Sequence, residues 1–103
     1  MQMWFALTLV LIACDENPEG DRVAEILALE ADTVLGQERY DDNCAVCHGE
    51  LGEGTPSGAS LQSSSAAGVI QSILEPPTVG MDGFASILSD QDIRDLSAYV
   101  ESL

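Results

Sequence analysis

Residues 44–48 read Cys-Ala-Val-Cys-His and hold two of the chain's three cysteines together with its only histidine. From this composition such a cluster arises by chance on the order of once in a thousand chains. The cluster constrains the fold because so little else can. A chain of 103 residues makes one small domain. Behind an apolar leader, only about 90 residues remain, a length at which a hydrophobic core alone is marginal. Whatever chemistry unites these three side chains also staples the fold.

Four chemistries use such a pattern. Structural zinc takes four protein ligands, and only Cys44, Cys47 and His48 are near one another in sequence. A redox dithiol of the thioredoxin type follows a strand in a βαβ unit, for which the chain has no pattern. A plain Cys44–Cys47 disulfide leaves His48 without a role. Covalent attachment of a c-type haem uses all three. Two thiols spaced by two residues add across the vinyl groups on one haem edge, and the adjacent His48 is carried to the iron as proximal ligand. That reading is preferred, with the other three kept as rivals.

The amino-terminal stretch supplies a compartment. Met1 to Ala13 carry no charged side chain, are too short to span a bilayer and suit the apolar core of an export signal. Leu11-Ile12-Ala13-Cys14 is similar to the lipobox of bacterial lipoproteins, and the next residues turn abruptly polar. The expectation is a signal peptide over residues 1–13, lipidation at Cys14, and a lipid-anchored tether and lead-in segment over 14–31. This places the protein on the periplasmic side of a bacterial membrane; a soluble periplasmic or secreted protein is the alternative. Three arginines and no lysine face 18 acidic residues, a formal net charge of −15. Nucleic acid is excluded as a partner, since no cationic cluster exists to displace phosphate counterions. The acidity suits a basic protein surface as partner, or serves only solubility in an extracytoplasmic setting.

The remaining pattern is helical throughout. Val23, Ile26 and Leu27 have helical spacing. Asp32 can cap a helix from about Thr33 toward Asn43. Residues 49–60, with four glycines and Pro56, form a loop. Ser65 to Leu74 reads as a short amphipathic helix stopped by Pro76-Pro77. Ser89 caps the clearest helix, whose stripe is Ile93, Leu96, Val100 and Leu103. No segment alternates with period two, so the fold class is all-α. Within 32–103, Met81 is the only methionine, and it sits in a glycine-flanked loop off any apolar stripe. A buried methionine usually fills a core; this placement suits a second axial ligand better.

Residues 32–103 resemble a class I bacterial monohaem cytochrome c domain. The resemblance rests on Gly36 and Tyr40 ahead of Cys-Ala-Val-Cys-His-Gly, the glycine-rich loop, Ile73-Leu74-Glu75-Pro76-Pro77, Met81 with Phe84 after it, and the closing Leu88 to Val100. It implies three to four helices around one covalently bound haem c. It also implies that Gly36 and Tyr40 cross the last helix near Leu96 and Tyr99. Two departures stand out. Asp82 follows Met81 where the family usually has proline, and Ala59 stands where a proline carbonyl usually accepts the proximal histidine's N–H. A backbone carbonyl at Ala59 can serve equally.

The function expected is one-electron transfer through haem c with His48 and Met81 as axial ligands and Cys44 and Cys47 as attachment points. No substrate is transformed; the partners are redox proteins, and no small-molecule substrate is expected. Leu51, Leu61, Ile70, Ile73, Leu74, Val79, Phe84 and Leu96 are the expected walls of the site. The alternatives are a haem-based ligand-binding or sensor protein and the haem subunit of a larger oxidoreductase complex.

Overall fold

The computed structural model describes residues 18–103, so the leader and Cys14 lie outside the described residues. Six helices follow in order: α1 (Pro18–Leu27), α2 (Thr33–Asn43), α3 (Ala45–His48), α4 (Ala66–Leu74), α5 (Phe84–Ile87) and α6 (Asp90–Glu101). Four of these have nine or more residues, while α3 and α5 are single turns. Among the described residues there is no strand, only an isolated bridge between Thr55 and Gly58. The architecture is the all-α one the sequence predicts.

Each long helix after α1 starts where a side chain can satisfy its free N–H groups. The Asp32 carboxylate accepts from Val34 N at 3.0 Å and Leu35 N at 3.1 Å. Ser65 Oγ accepts from Gly68 N at 3.0 Å. At α6, Ser89 and Asp92 form a reciprocal capping box. Asp92 also accepts from Arg39 Nε at 3.0 Å, joining α6 to α2. The Ser89 N–H, with Arg39 beside it, holds the Asp92 carboxyl below the usual carboxylate range. Its ionised form therefore favours the folded state: the stabilisation is present above the ordinary carboxylate pKa and is lost as pH falls through the lowered folded value. Asp92→Asn should lower the thermal midpoint by a few degrees at pH 7. Melting curves taken at successively lower pH, through and below the ordinary carboxylate range, should show the gap from wild type closing.

The core gathers Val23 and Ile26 of α1, Tyr40 of α2, Ile70 and Ile73 of α4, Leu88, and Ile93, Leu96 and Val100 of α6. The most extensive contact between helices is α2 on α6. It depends on Gly36, whose missing side chain leaves room for the Asp95 backbone carbonyl. One turn on, the Tyr40 and Tyr99 rings meet at 5.5 Å between centroids, tilted by 54°. The helix crossing implied by the resemblance is thus present. Asp95, 2% exposed, accepts from the Asp32 N–H at 2.9 Å and from Gln91 Nε2 at 2.8 Å. This satisfied buried carboxylate pins the start of α2 to α6.

The lead-in segment enters the same structure. Its helix starts at Pro18, whose fixed φ suits a first turn. Val23 and Ile26 are buried in the core against α4 and α6. The link to α2 is lashed to α6 as well: Arg94 Nε donates to the Leu29 carbonyl at 2.9 Å and Gln91 Nε2 to that of Glu30 at 2.7 Å. From Val23 to Glu30 the segment packs against, or is hydrogen-bonded to, α4 and α6.

Candidate haem site

Cys44 closes α2 and stands at the head of α3, a single turn that holds Cys47 and His48. The turn is fixed by Cys47 N and His48 N, which both donate to the Cys44 carbonyl, at 3.1 and 2.9 Å. On such a turn, residues three apart lie side by side. Cys44 and Cys47 therefore open together.

The following loop folds back over this turn. Thr55 Oγ1 donates to the Cys47 carbonyl, and Gly54 N to the His48 carbonyl at 2.8 Å. Gly58 lies so close that a Cβ there would sit 2.6 Å from the Cys47 oxygen and 3.1 Å from His48 Nδ1. That approach brings the Ala59 carbonyl to 2.7 Å from His48 Nδ1. A carbonyl can only accept, so Nδ1 carries a proton, and in the neutral ring Nε2 then holds the lone pair. An oriented imidazole with a free Nε2 is what an axial iron ligand requires. The backbone acceptor expected at Ala59 is in place without a proline.

The buried hydroxyl of Tyr40 donates to the Gly49 carbonyl and anchors the loop from below. Burial pushes its pKa up to about 12, so it stays a donor at all ordinary pH.

Cys44, Cys47, His48 and Met81 all line one cavity of about 510 Å³, within the range of small-molecule and cofactor sites. Met81 ends a 3-10 turn (Val79–Met81), half-buried on the cavity wall. Leu61, Ile73, Phe84 and Leu96 line the cavity as expected, joined by Val69 and Val100. Val69 was legible, since it lies four residues before Ile73 on the same face of α4.

Four expected walls are elsewhere. Leu51 is 62% exposed and Val79 86% exposed, each in a tight turn that does not bring its side chain to the cavity wall. Ile70 and Leu74 belong to the core packing and not to the cavity lining.

The donor set fits a covalently bound haem: two thiols side by side, an oriented imidazole, a thioether and apolar walls. The rivals fare worse. Burial, reinforced by Cys47, pushes the Cys44 thiol up to about 11. A redox dithiol needs the opposite shift, toward the thiolate. Among the described residues, no three His, Cys, Asp or Glu side chains converge where they could hold a bare metal ion.

A helical domain with a Cys-X-X-Cys-His turn opening on an apolar cavity is a cytochrome c domain. The family model described as cytochrome c oxidase, cbb3-type, subunit III matches residues 31–100, and the chain belongs to that family. A search of curated proteins and one of solved structures gave no match. The family implies covalently bound haem c, electron transfer and redox protein partners.

Proposed function

We propose that this chain is a membrane-tethered, one-electron carrier whose single haem c is bound through Cys44 and Cys47, with His48 and Met81 as axial ligands. The observation that carries the reading is the shared cavity, onto which these four side chains open from two separate parts of the fold, the attachment turn and the Met81 turn. Bound there, the haem supplies an iron that alternates between Fe(III) and Fe(II).

The chain's own residues do the rest. The Ala59 carbonyl fixes the tautomer and orientation of His48. Met81 offers a soft thioether that favours Fe(II) and raises the potential. Leu61, Val69, Ile73, Phe84 and Leu96 exclude water, which acts in the same direction. No substrate bond is made or broken.

The test is a pyridine haemochrome assay on protein matured in an exporting bacterium and then denatured. Covalent haem c at one per chain supports the reading; none would refute it. The tether is tested separately. Cys14→Ser should yield a soluble, haem-loaded protein on the periplasmic side, since anchor and cofactor site are far apart in the chain. A cleaved variant that still pellets with membranes would rule out the lipid anchor.

The family's description as an oxidase subunit favours a second reading, in which the same haem relays electrons inside a larger oxidoreductase complex. Stable co-purification with other subunits would select it.

A further inference from the structure

All three arginines of this chain are engaged. Arg22 pairs with Asp90 and Arg39 with Asp92, each at 3.0 Å, and Arg94 Nε donates to the Leu29 carbonyl. Among the described residues, Asp41 and Glu50 accept no ion pair or side-chain hydrogen bond, a state they share with other surface acids such as Asp21, Glu25 and Asp82. Asp41 and Glu50, both exposed, border a second, shallower groove of about 380 Å³, completed by Gln37, Ala45, Leu51 and Tyr99.

Gln37, Asp41 and Ala45 are spaced by four and form one stripe running from α2 onto α3. Leu51 is mostly exposed here and Tyr99 half-buried, so the groove pairs anionic edges with an aliphatic and an aromatic wall. That combination fits a long cationic side chain. Its methylene stem lies on apolar surface, its head meets carboxylates, and the aromatic ring adds attraction for the cation.

We propose that this groove is the docking point for an arginine or lysine side chain projecting from a basic redox protein. The inference rests on the electron-carrier reading and adds where the partner sits. Ala45 lies between the two haem-attaching cysteines, so a protein anchored here is set beside the attachment turn. The carboxylates steer the approach and the apolar walls fix the register.

The test uses the haem-loaded chain and mitochondrial cytochrome c, a lysine-rich redox protein, as the probe. Second-order electron-transfer rates are measured by stopped flow for wild type, for Asp41→Asn with Glu50→Gln, and for a control pair, Asp21→Asn with Glu25→Gln. The control removes the same charge from exposed positions on α1. The groove pair should slow transfer roughly three- to ten-fold at low ionic strength and the control less than about two-fold. The difference should vanish at high salt.

Equal slowing by both pairs would mean that only the overall field matters, and no slowing would mean that partners dock elsewhere. Either result overturns the proposal, as would a wild type that cycles with small reagents but does not react with the probe. Reduction by dithionite and reoxidation by ferricyanide, run on the same samples, separate the two levels. If wild type fails to cycle even with these, the carrier reading is what has failed.

Discussion

A Cys44→Ser, Cys47→Ser double variant, matured beside wild type, will carry no haem that survives denaturation and will melt roughly 10 °C or more below the haem-loaded chain. The loss of haem follows from the site, where, among the described residues, these two thiols open together on the cavity. The loss of stability follows from the core. Ile73, Leu96 and Val100 are buried residues that also line the 510 Å³ cavity, so its filling and the packing of α4 on α6 are one structure. A domain of this size has a margin of only about 5–15 kcal/mol. Without the cofactor those apolar walls face water or each other. Differential scanning calorimetry on both proteins checks the second half of the prediction. An apoprotein melting with wild type would show that the haem is an addition to a complete core.

Gly36→Ala should be nearly as damaging, although alanine is the better helix former by about 1 kcal/mol. Packing decides the sign. The added carbon would overlap the backbone carbonyl of Asp95 and touch Tyr99 Cβ at 3.0 Å. Backbone cannot swing aside as a flexible side chain would, so α2 must lift from α6. Overpacking of this kind costs about 1–3 kcal/mol. Here the displaced contact is the largest in the fold and holds the Tyr40–Tyr99 pair. A net loss of about 2 kcal/mol, or roughly 10 °C in thermal midpoint, is expected. Because Tyr40 also holds the loop over α3 through the Gly49 carbonyl, haem incorporation should fall with it. A variant as stable as wild type would mean that α2 and α6 are not held at this crossing.

Most of this site could be read from residues close together in the chain. The Cys44–His48 cluster names its chemistry because two thiols and an imidazole at that spacing suit few other uses. The caps at Asp32 and Ser89 are local hydrogen bonds, and the structure has both. Contacts distant in sequence were harder. The burial of Val23 and Ile26 depends on which face of α1 meets α4 and α6, and a short amphipathic run does not say what covers it. Asp95 reads as one more acid on a solvated helix until the Asp32 N–H is seen to reach it from 63 residues away. Leu51 and Val79 failed as walls for a related reason: hydrophobicity marks residues that prefer burial, while turn geometry decides whether they obtain it.

The most direct test of the central claim is an optical redox titration of the haem-loaded chain beside Met81→Ala, with covalent haem content matched. Wild type should follow a single one-electron transition and show, when oxidised, the weak thioether-to-iron band near the red end of the visible spectrum. In Met81→Ala that band should vanish and the midpoint potential should fall by on the order of 100 mV or more. An unchanged band and midpoint in the variant would contradict the account, because Met81 would then not be the ligand that sets the potential of this carrier.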